Sequence, residues 1–194
     1  SSGNIAIISH GDIANAGTLE GVTVTATSNA FTNSGAVLAD AIALNASSLN
    51  NQGAQAKIVA NTSVNLTVSG DTSNAGTVAG STVTTTGNAF TNTGTVLANT
   101  LTLDATTLNN QEGQARIAAN ISVNLSVSGN IENSGTLEGH AITAHSNAFN
   151  NSGAVLADVL TLDALNLNNQ GAQAIMAGNT SLNLMVGGDI NNEG

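Results

Sequence analysis

The sequence predicts an all-β fold, a right-handed parallel β-helix of about ten coils whose lengths follow the series 18, 18, 23. Three observations lead to this prediction. The phrase Asn-x-Gly recurs at regular intervals along the whole chain, apolar and polar residues alternate between its copies, and every third interval is a longer one, so that the complete pattern forms a superrepeat. Internal repetition with periods of this size is typical of solenoids, in which each repeat is one structural unit.

The repeated phrase is marked by ten asparagines, and the gaps between them follow the series 18, 18, 23. They are Asn15, Asn33, Asn51, Asn74, Asn92, Asn110, Asn133, Asn151, Asn169 and Asn192. One copy departs from the phrase, because Glu112 stands where glycine is expected. Since the gaps sum to 59, the superrepeats are 11–69, 70–128 and 129–187, with partial coils at 1–10 and 188–194.

A long α-helix is the alternative, because each short interval would make about five helical turns. The composition argues against it, since Gly, Asn, Thr and Val are poor helix formers. Residues 22–27 and 64–68 alternate apolar and polar with a period of two, which is typical of short strands. A unit of this size cannot bury an apolar face alone, but stacked units can. Right-handed parallel crossovers predominate, and ten coils would give a rod about 45–50 Å long.

Stacking predicts a role for the repeated asparagine. Identical side chains in successive coils can form a ladder, in which each amide donates to the next carbonyl oxygen. The following glycine suits a corner where φ is positive or where backbones crowd. Asn-x-Gly is also a common turn phrase, but ten copies in register favour a structural ladder. The neighbouring coils are therefore partners of one another.

A core column is predicted two residues before each asparagine, where Thr72 is the single polar exception. Its members are Ile13, Phe31, Leu49, Phe90, Leu108, Ile131, Phe149, Leu167 and Ile190. The extra residues of each third coil are expected at 55–58, 114–117 and 173–176, as a bulge or an extended corner. We expect residues 1–194 to be a single β-helical segment of a longer array, because both ends stop within the pattern.

Charge is scarce and mostly negative. Charged residues make up 7% of the chain, against roughly 25% in ordinary domains, and the net charge is −10. Lys57 and Arg116 are the only fixed cations, so neutralisation of nucleic-acid phosphates is not expected. No apolar run reaches the length of a membrane helix, so membrane insertion is not expected either. Without cysteine there are no disulfides and there is no thiol chemistry.

Candidate catalytic groups do not form a pattern. His10, His140 and His145 share no phase of the repeat and no metal-ligand spacing, so each is predicted to be a surface residue. Asp and Asn replace one another between internal copies, which suits a corner but not an ionised base. We therefore expect no enzyme and no catalytic, cofactor-binding or metal-binding residues. Other β-helices do carry active sites, so the fold alone does not exclude one.

Two short threonine ranks leave a binding role open. Thr23, Thr25 and Thr27 face one way, and residues 82, 84 and 86 repeat them one superrepeat later. A flat threonine surface is typical of ice-binding solenoids. In the third copy, however, the rank becomes Ala141, Thr143 and His145, and other coils are not expected to continue it. A side of the rod that binds a host glycan, a host protein or ice is therefore the alternative function.

Two stretches resemble the haemagglutinin repeats of filamentous haemagglutinin-type exoproteins. They are residues 129–137, GNIENSGTL, and residues 162–171, LDALNLNNQG. The resemblance covers essentially the whole chain. It implies a right-handed β-helical shaft, export by an outer-membrane two-partner-secretion transporter, and a secreted or cell-surface location. It also implies a large bacterial adhesin or contact-dependent inhibition effector, which could meet a receptor on a host or bacterial cell.

From these observations we expect a non-catalytic spacer that holds a distal adhesive or toxic domain away from the cell.

Overall fold

The computed structural model describes residues 3–194, which form fourteen β-strands and no helix. The partial coil at 1–10 begins with Ser1 and Ser2, which lie outside the described residues. The strands are β1 Ile5–Ile8, β2 Ile13–Asn15, β3 Thr18–Asn33, β4 Ala36–Asn51, β5 Lys57–Val68, β6 Thr72–Asn74, β7 Thr77–Asn92, β8 Thr95–Asn110, β9 Arg116–Val127, β10 Asn130–Asn133, β11 Thr136–Asn151, β12 Ala154–Asn169, β13 Ile175–Val186 and β14 Ile190–Asn192.

All strand pairs in the described chain are parallel, and each coil pairs with the next. In the pairing of β3 with β4, for example, Phe31 lies opposite Leu49 and Asn33 lies opposite Asn51. This register makes the chain a right-handed parallel β-helix of about ten coils, and it confirms the predicted fold class.

Each coil has three sides, because the inward-facing positions change phase twice along a long strand. In β4 the buried residues are 37, then 42, 44 and 46, then 49 and 51. Two consecutive residues face outward at each change of phase, and there the chain turns a corner. We call residues 36–39 of this coil, and the residues paired with them in other coils, side 1. Residues 41–46 define side 2, and residues 48–51 define side 3.

The core is a continuous apolar interior inside these three sides. Val37, Ile42, Leu44 and Leu49 of one coil are at most 2% exposed, and their counterparts in neighbouring coils pack directly above and below them. Burial of apolar side chains along the whole stack supplies the main stabilising free energy. Short coils of this kind have no interior of their own, so each depends on its neighbours.

The long coils accommodate their five extra residues at three places. The offset between paired residues is 18 at Asn33↔Asn51, and it rises to 21, 22 and 23 at Ala36↔Lys57, Ala41↔Ser63 and Leu49↔Thr72. Three extra residues therefore lie in the corner at 52–56, one in a bulge at 61–62, and one in the turn at 69–71. The sequence predicts an extended corner, but the positions 55–58, 114–117 and 173–176 are wrong in part, because residues 57–58, 116–117 and 175–176 are paired strand residues.

The last coil in the structure has no coil above it. Its inward-facing side chains Leu182, Leu184 and Ile190 are therefore 38–57% exposed, although the equivalent residues elsewhere are buried. The comparison shows how much of the burial of each coil comes from the coil that follows it.

Candidate functional site

The ten motif asparagines lie in one column, and nine hydrogen bonds join them. In every step the side-chain Nδ2 of one asparagine donates to Oδ1 of the asparagine in the next coil, at 2.7–2.8 Å. Those from Asn33 to Asn110 are completely buried. We call this column the asparagine ladder. Its bonds all run toward the C-terminus, so their dipoles align and strengthen one another.

In the short corners, the ladder amide also bonds to a carbonyl oxygen of its own corner. Asn92 Nδ2 lies 3.0 Å from the carbonyl oxygen of Gly94, and 3.4 Å from the carbonyl oxygen of Arg116 in the next coil. The same side chain accepts a bond from Asn74 and donates one to Asn110. Only a carboxamide has an acceptor and two donors in this arrangement. The chemistry of asparagine therefore explains why it recurs at this position.

Crowding of the backbone explains the glycine that follows most ladder asparagines. A Cβ atom added at Gly35 would lie 2.0 Å from the carbonyl oxygen of Gly17 in the preceding coil, and one at Gly94 would lie 2.2 Å from that of Gly76. The same two carbonyl groups accept backbone hydrogen bonds from the coil above. Glycine lets the backbones approach closely enough for that bond, and φ is not positive at these positions.

The extended corners use glycine for a different reason. Gly53 and Gly171 have positive φ values of 87° and 117°, in the region that L-residues avoid. The third extended corner has Glu112 at this position, with φ of 76°. Within the described residues Glu112 is the only residue other than glycine with a positive φ. The irregular copy of the motif is therefore a strained corner.

The predicted core column lies inside the rod. Phe31, Leu49, Phe90, Leu108, Ile131, Phe149 and Leu167 are at most 3% exposed. Ile13 is half-buried near the first coil, and Ile190 is 57% exposed in the last coil. Thr72 continues the column between Leu49 and Phe90 and is also buried. Its hydroxyl has no hydrogen-bond partner, so it destabilises the interior.

Carboxylates at corners bind the next coil. Asp12 Oδ1 accepts a hydrogen bond from the backbone N–H of Ala30 at 3.0 Å, and Asp71 Oδ1 accepts one from that of Ala89 at 3.2 Å. All three copies also accept a bond from an asparagine Nδ2 in the next coil, and Asn130 takes the place of the aspartate in the third copy. The side-chain oxygen of asparagine can accept this bond as well, which accounts for the exchange of Asp and Asn between internal copies.

Two histidine–aspartate pairs connect successive coils on the surface. His140 Nδ1 lies 2.7 Å from Asp158, and His145 Nδ1 lies 3.2 Å from Asp163. Hydrogen bonds from Asn179 and then from His140 lower the pKa of Asp158. Both histidines are exposed, as predicted, but their partners were not predicted. The sequence does contain a signal for these pairs. The histidine and the aspartate of each pair are separated by 18 residues, the length of one short coil, which predicts that they lie side by side.

Lys57 and Arg116 lie in the same column, three coils apart. Thr77 and Thr95 occupy the same position in the two coils between them. Arg116 pairs with Glu138 at 2.8 Å on the exposed surface. Their separation means that the two cations do not belong to one site.

A polar recess lies where side 3 meets the extended corners. Its volume is about 700 Å³, and it is framed by the projecting corners at 111–115 and 170–174. The residues that line it carry amide, hydroxyl or carboxylate side chains, and they include Gln111, Glu112, Glu132, Ser134, Asn150, Ser152, Asn168 and Gln170. Asn150 donates to Glu132, and Asn168 donates to Asn150, both at 2.7 Å. This arrangement offers many donors and acceptors to a ligand rich in hydroxyl groups.

The threonine ranks are more continuous than predicted. Thr82, Thr84 and Thr86 pair with Thr100, Thr102 and Asp104 of the next coil on side 2. The expectation that other coils do not continue the rank is therefore wrong for this one coil. It holds for the first rank, because Thr23, Thr25 and Thr27 pair with Ala41, Ala43 and Asn45. That expectation rested on positions one superrepeat apart, whereas the neighbours on the surface are only one coil apart.

The fold and the ladder define the chain as a parallel β-solenoid. No family model, no curated protein and no solved structure matches it. Nowhere in residues 3–194 do three side chains of the metal-binding types converge on a common point. The same residues include no helix with the length and apolarity of a membrane span.

Proposed function

We propose that this chain is a non-catalytic shaft segment of a secreted bacterial surface adhesin or toxin-delivery filament. Its role is to hold a distal functional domain away from the cell. The observation that carries the proposal is the asparagine ladder, which continues without a break from Asn15 to Asn192. A rod with the same hydrogen bond in every coil is suited to spanning distance.

Stacking gives the shaft its mechanical properties. Each coil pairs only with its neighbours, so length can be added without changing the fold of the coils already present. The buried ladder and the apolar interior resist bending, because bending would separate hydrogen-bonded amides on one side. The near absence of charge suits such a stack, since like charges one strand apart would repel.

The resemblance to haemagglutinin repeats supports the location and the export route. We infer that an outer-membrane two-partner-secretion transporter exports the parent protein, and that the shaft stands at the bacterial surface. A chain that crosses a membrane unfolded can then fold coil by coil, because each new coil has a template in the previous one. A receptor on a host or bacterial cell would be bound by the distal domain.

The proposal can be tested by changing the length of the rod in phase. Deletion of residues 70–128 joins Ser69 to Gly129 and leaves the ladder intact, because Asn133 replaces Asn74 above Asn51. Three coils are removed, so small-angle scattering should show a rod shorter by about 14 Å. In the parent protein the same deletion should reduce the reach of the distal domain and leave its intrinsic binding or toxic activity unchanged.

The matched control is deletion of residues 70–119, which removes less of the chain but destroys the phase. It should lower the thermal midpoint strongly, whereas the in-phase deletion should lower it only slightly. A compact globule in scattering, or equal loss of stability in the two deletions, would refute the shaft proposal.

A second candidate function is direct binding of a glycan in the polar recess. The observation that favours it is the set of amides and carboxylates between two projecting corners. Asn150→Ala should then abolish binding on a glycan array. Thr91→Ala, at the same position one superrepeat earlier, should leave binding unchanged. No binding by the unaltered chain would exclude this candidate and would leave the shaft proposal untouched.

A further inference from the structure

Side 2 of the rod carries a regular array of small polar side chains in its middle four coils. Three columns and four rows form this array, and the strand register aligns them. We call it the side-2 array, and its members are Ser63, Asn65, Thr67, Thr82, Thr84, Thr86, Thr100, Thr102, Asp104, Ser122, Asn124 and Ser126. Every member is exposed or half-buried, and Asp104 carries its only charge.

The array is rigid and regular. Behind it lie buried residues such as Val64, Leu66, Val83 and Leu101, each at most 1% exposed. Threonine is stiff at χ1 because of its β-branch, so its hydroxyl and methyl groups are held in place. The ladder bonds from Asn74 to Asn133 are all 2.8 Å long, so the spacing between these coils is uniform at the ladder. The repeat is about 4.8 Å along the rod and about 6.6 Å across it.

The polar groups of the array are free to bind something outside the protein. Elsewhere on the surface, side chains bond to one another from coil to coil, as Asn150 does to Glu132 and His140 does to Asp158. Among the side-chain hydrogen bonds of residues 3–194, the array contributes one, from Thr82 Oγ1 to the carbonyl oxygen of Thr62 at 3.3 Å. Its other hydroxyl and amide groups therefore face solvent water directly.

We propose that the side-2 array binds the surface of ice. Hydroxyl groups on a fixed two-dimensional grid can hold water molecules in regularly spaced positions, as the growth of an ice crystal requires. The threonine methyl groups add apolar surface that need not remain hydrated. This activity is separate from the shaft role, which depends on the interior of the rod and not on side 2.

The test uses the whole chain, carrying a fluorescent label, in a slowly grown ice hemisphere. The labelled chain should enter the ice, and it should also slow recrystallisation and separate the freezing point from the melting point. Exclusion from the ice to the same extent as a labelled serum albumin control would overturn the proposal. This measurement needs no variant, so its outcome does not depend on the folding of one.

Matched substitutions then locate the surface. Thr84→Tyr and Thr102→Tyr place a bulky ring in the centre of the array, and exposed strand positions tolerate tyrosine. Thr106→Tyr makes the same change in the same strand as Thr102, at an exposed position outside the array. The two array variants should lose several-fold in freezing-point separation, and Thr106→Tyr should keep the original value. Equal loss in all three, with unchanged far-ultraviolet circular dichroism, would overturn the assignment to side 2.

Discussion

Breaking the asparagine ladder in the middle of the rod should destabilise it strongly. Asn92 is completely buried, accepts a hydrogen bond from Asn74 and donates one to Asn110, each at 2.8 Å. Asn92→Ala removes both bonds and leaves an amide and a carbonyl oxygen without these ladder partners inside the protein. Each partner group that loses its ladder bond costs about 1–3 kcal/mol. The expected loss is therefore about 2–6 kcal/mol, toward the lower end because Asn74 Nδ2 keeps the carbonyl oxygens of Gly76 and Thr95 as acceptors.

The assay is urea unfolding followed by circular dichroism, with hydrogen exchange to detect local opening, because solenoids need not unfold in one step. Two controls separate the ladder from its surroundings. Asn109→Ala changes the neighbouring half-exposed residue and should cost less than about 0.5 kcal/mol. Asn192→Ala removes the end of the ladder, which accepts a single bond from Asn169, and should cost about 1 kcal/mol.

Asn92→Asp tests the direction of the ladder. An aspartate keeps the acceptor for Asn74 but, when ionised, cannot donate to Asn110. Burial and the facing oxygen should raise the pKa of this aspartate in the folded state above its unfolded value. Its protonated form can donate, so the variant should be most stable at acidic pH and lose stability as pH rises through that pKa. Equal stability of Asn92→Ala, Asn109→Ala and the unaltered chain would refute the ladder argument.

Four further substitutions test the interior and the corners, all by urea unfolding. Phe90→Ala leaves a cavity in the core column and should cost about 3–5 kcal/mol, so an unchanged midpoint would contradict its burial. Thr72→Val removes a buried hydroxyl without a partner and should stabilise the chain by about 1 kcal/mol, and a loss would mean that the hydroxyl is bonded. Glu112→Gly relieves the positive φ and should gain about 1 kcal/mol, whereas a loss would show that the side chain is needed. Gly35→Ala should cost several times as much as an ordinary surface change, since its Cβ would lie 2.0 Å from the carbonyl oxygen of Gly17, and a neutral result would contradict this crowding.

The fold could be predicted because its period is visible in one residue type. The asparagines that define the repeat are the residues that stack, so spacing in the sequence becomes register in the structure. The core column follows from the same register, since a residue two positions before each asparagine must face the same way.

The details of the long coil could not be predicted in the same way. The difference in length between long and short coils gives the number of inserted residues but not their positions. The pairs Ala36↔Lys57 and Ala41↔Ser63 have different offsets, so the inserted residues are divided among separate places in the coil. The bulge keeps the apolar alternation on both sides of it, so the sequence around Asn61 and Thr62 looks like an uninterrupted strand. Surface pairs such as His140 with Asp158 were missed for another reason, because they appear only when the sequence is compared one coil apart.

The long coil also connects the two proposals about the surface. Its extended corner recurs once in each superrepeat, and the short coils between two such corners do not project as far. A recess therefore forms between the projecting corners, at the edge of side 3. The side-2 strands lie beyond the bulge, and their residues stay in register from coil to coil, so the same chain presents an ordered array there. A repeat made of short coils alone would lack the projecting corners. The irregular coil is therefore what gives the rod two different surfaces, and deleting residues 111–113 should remove the recess while leaving the side-2 array in place.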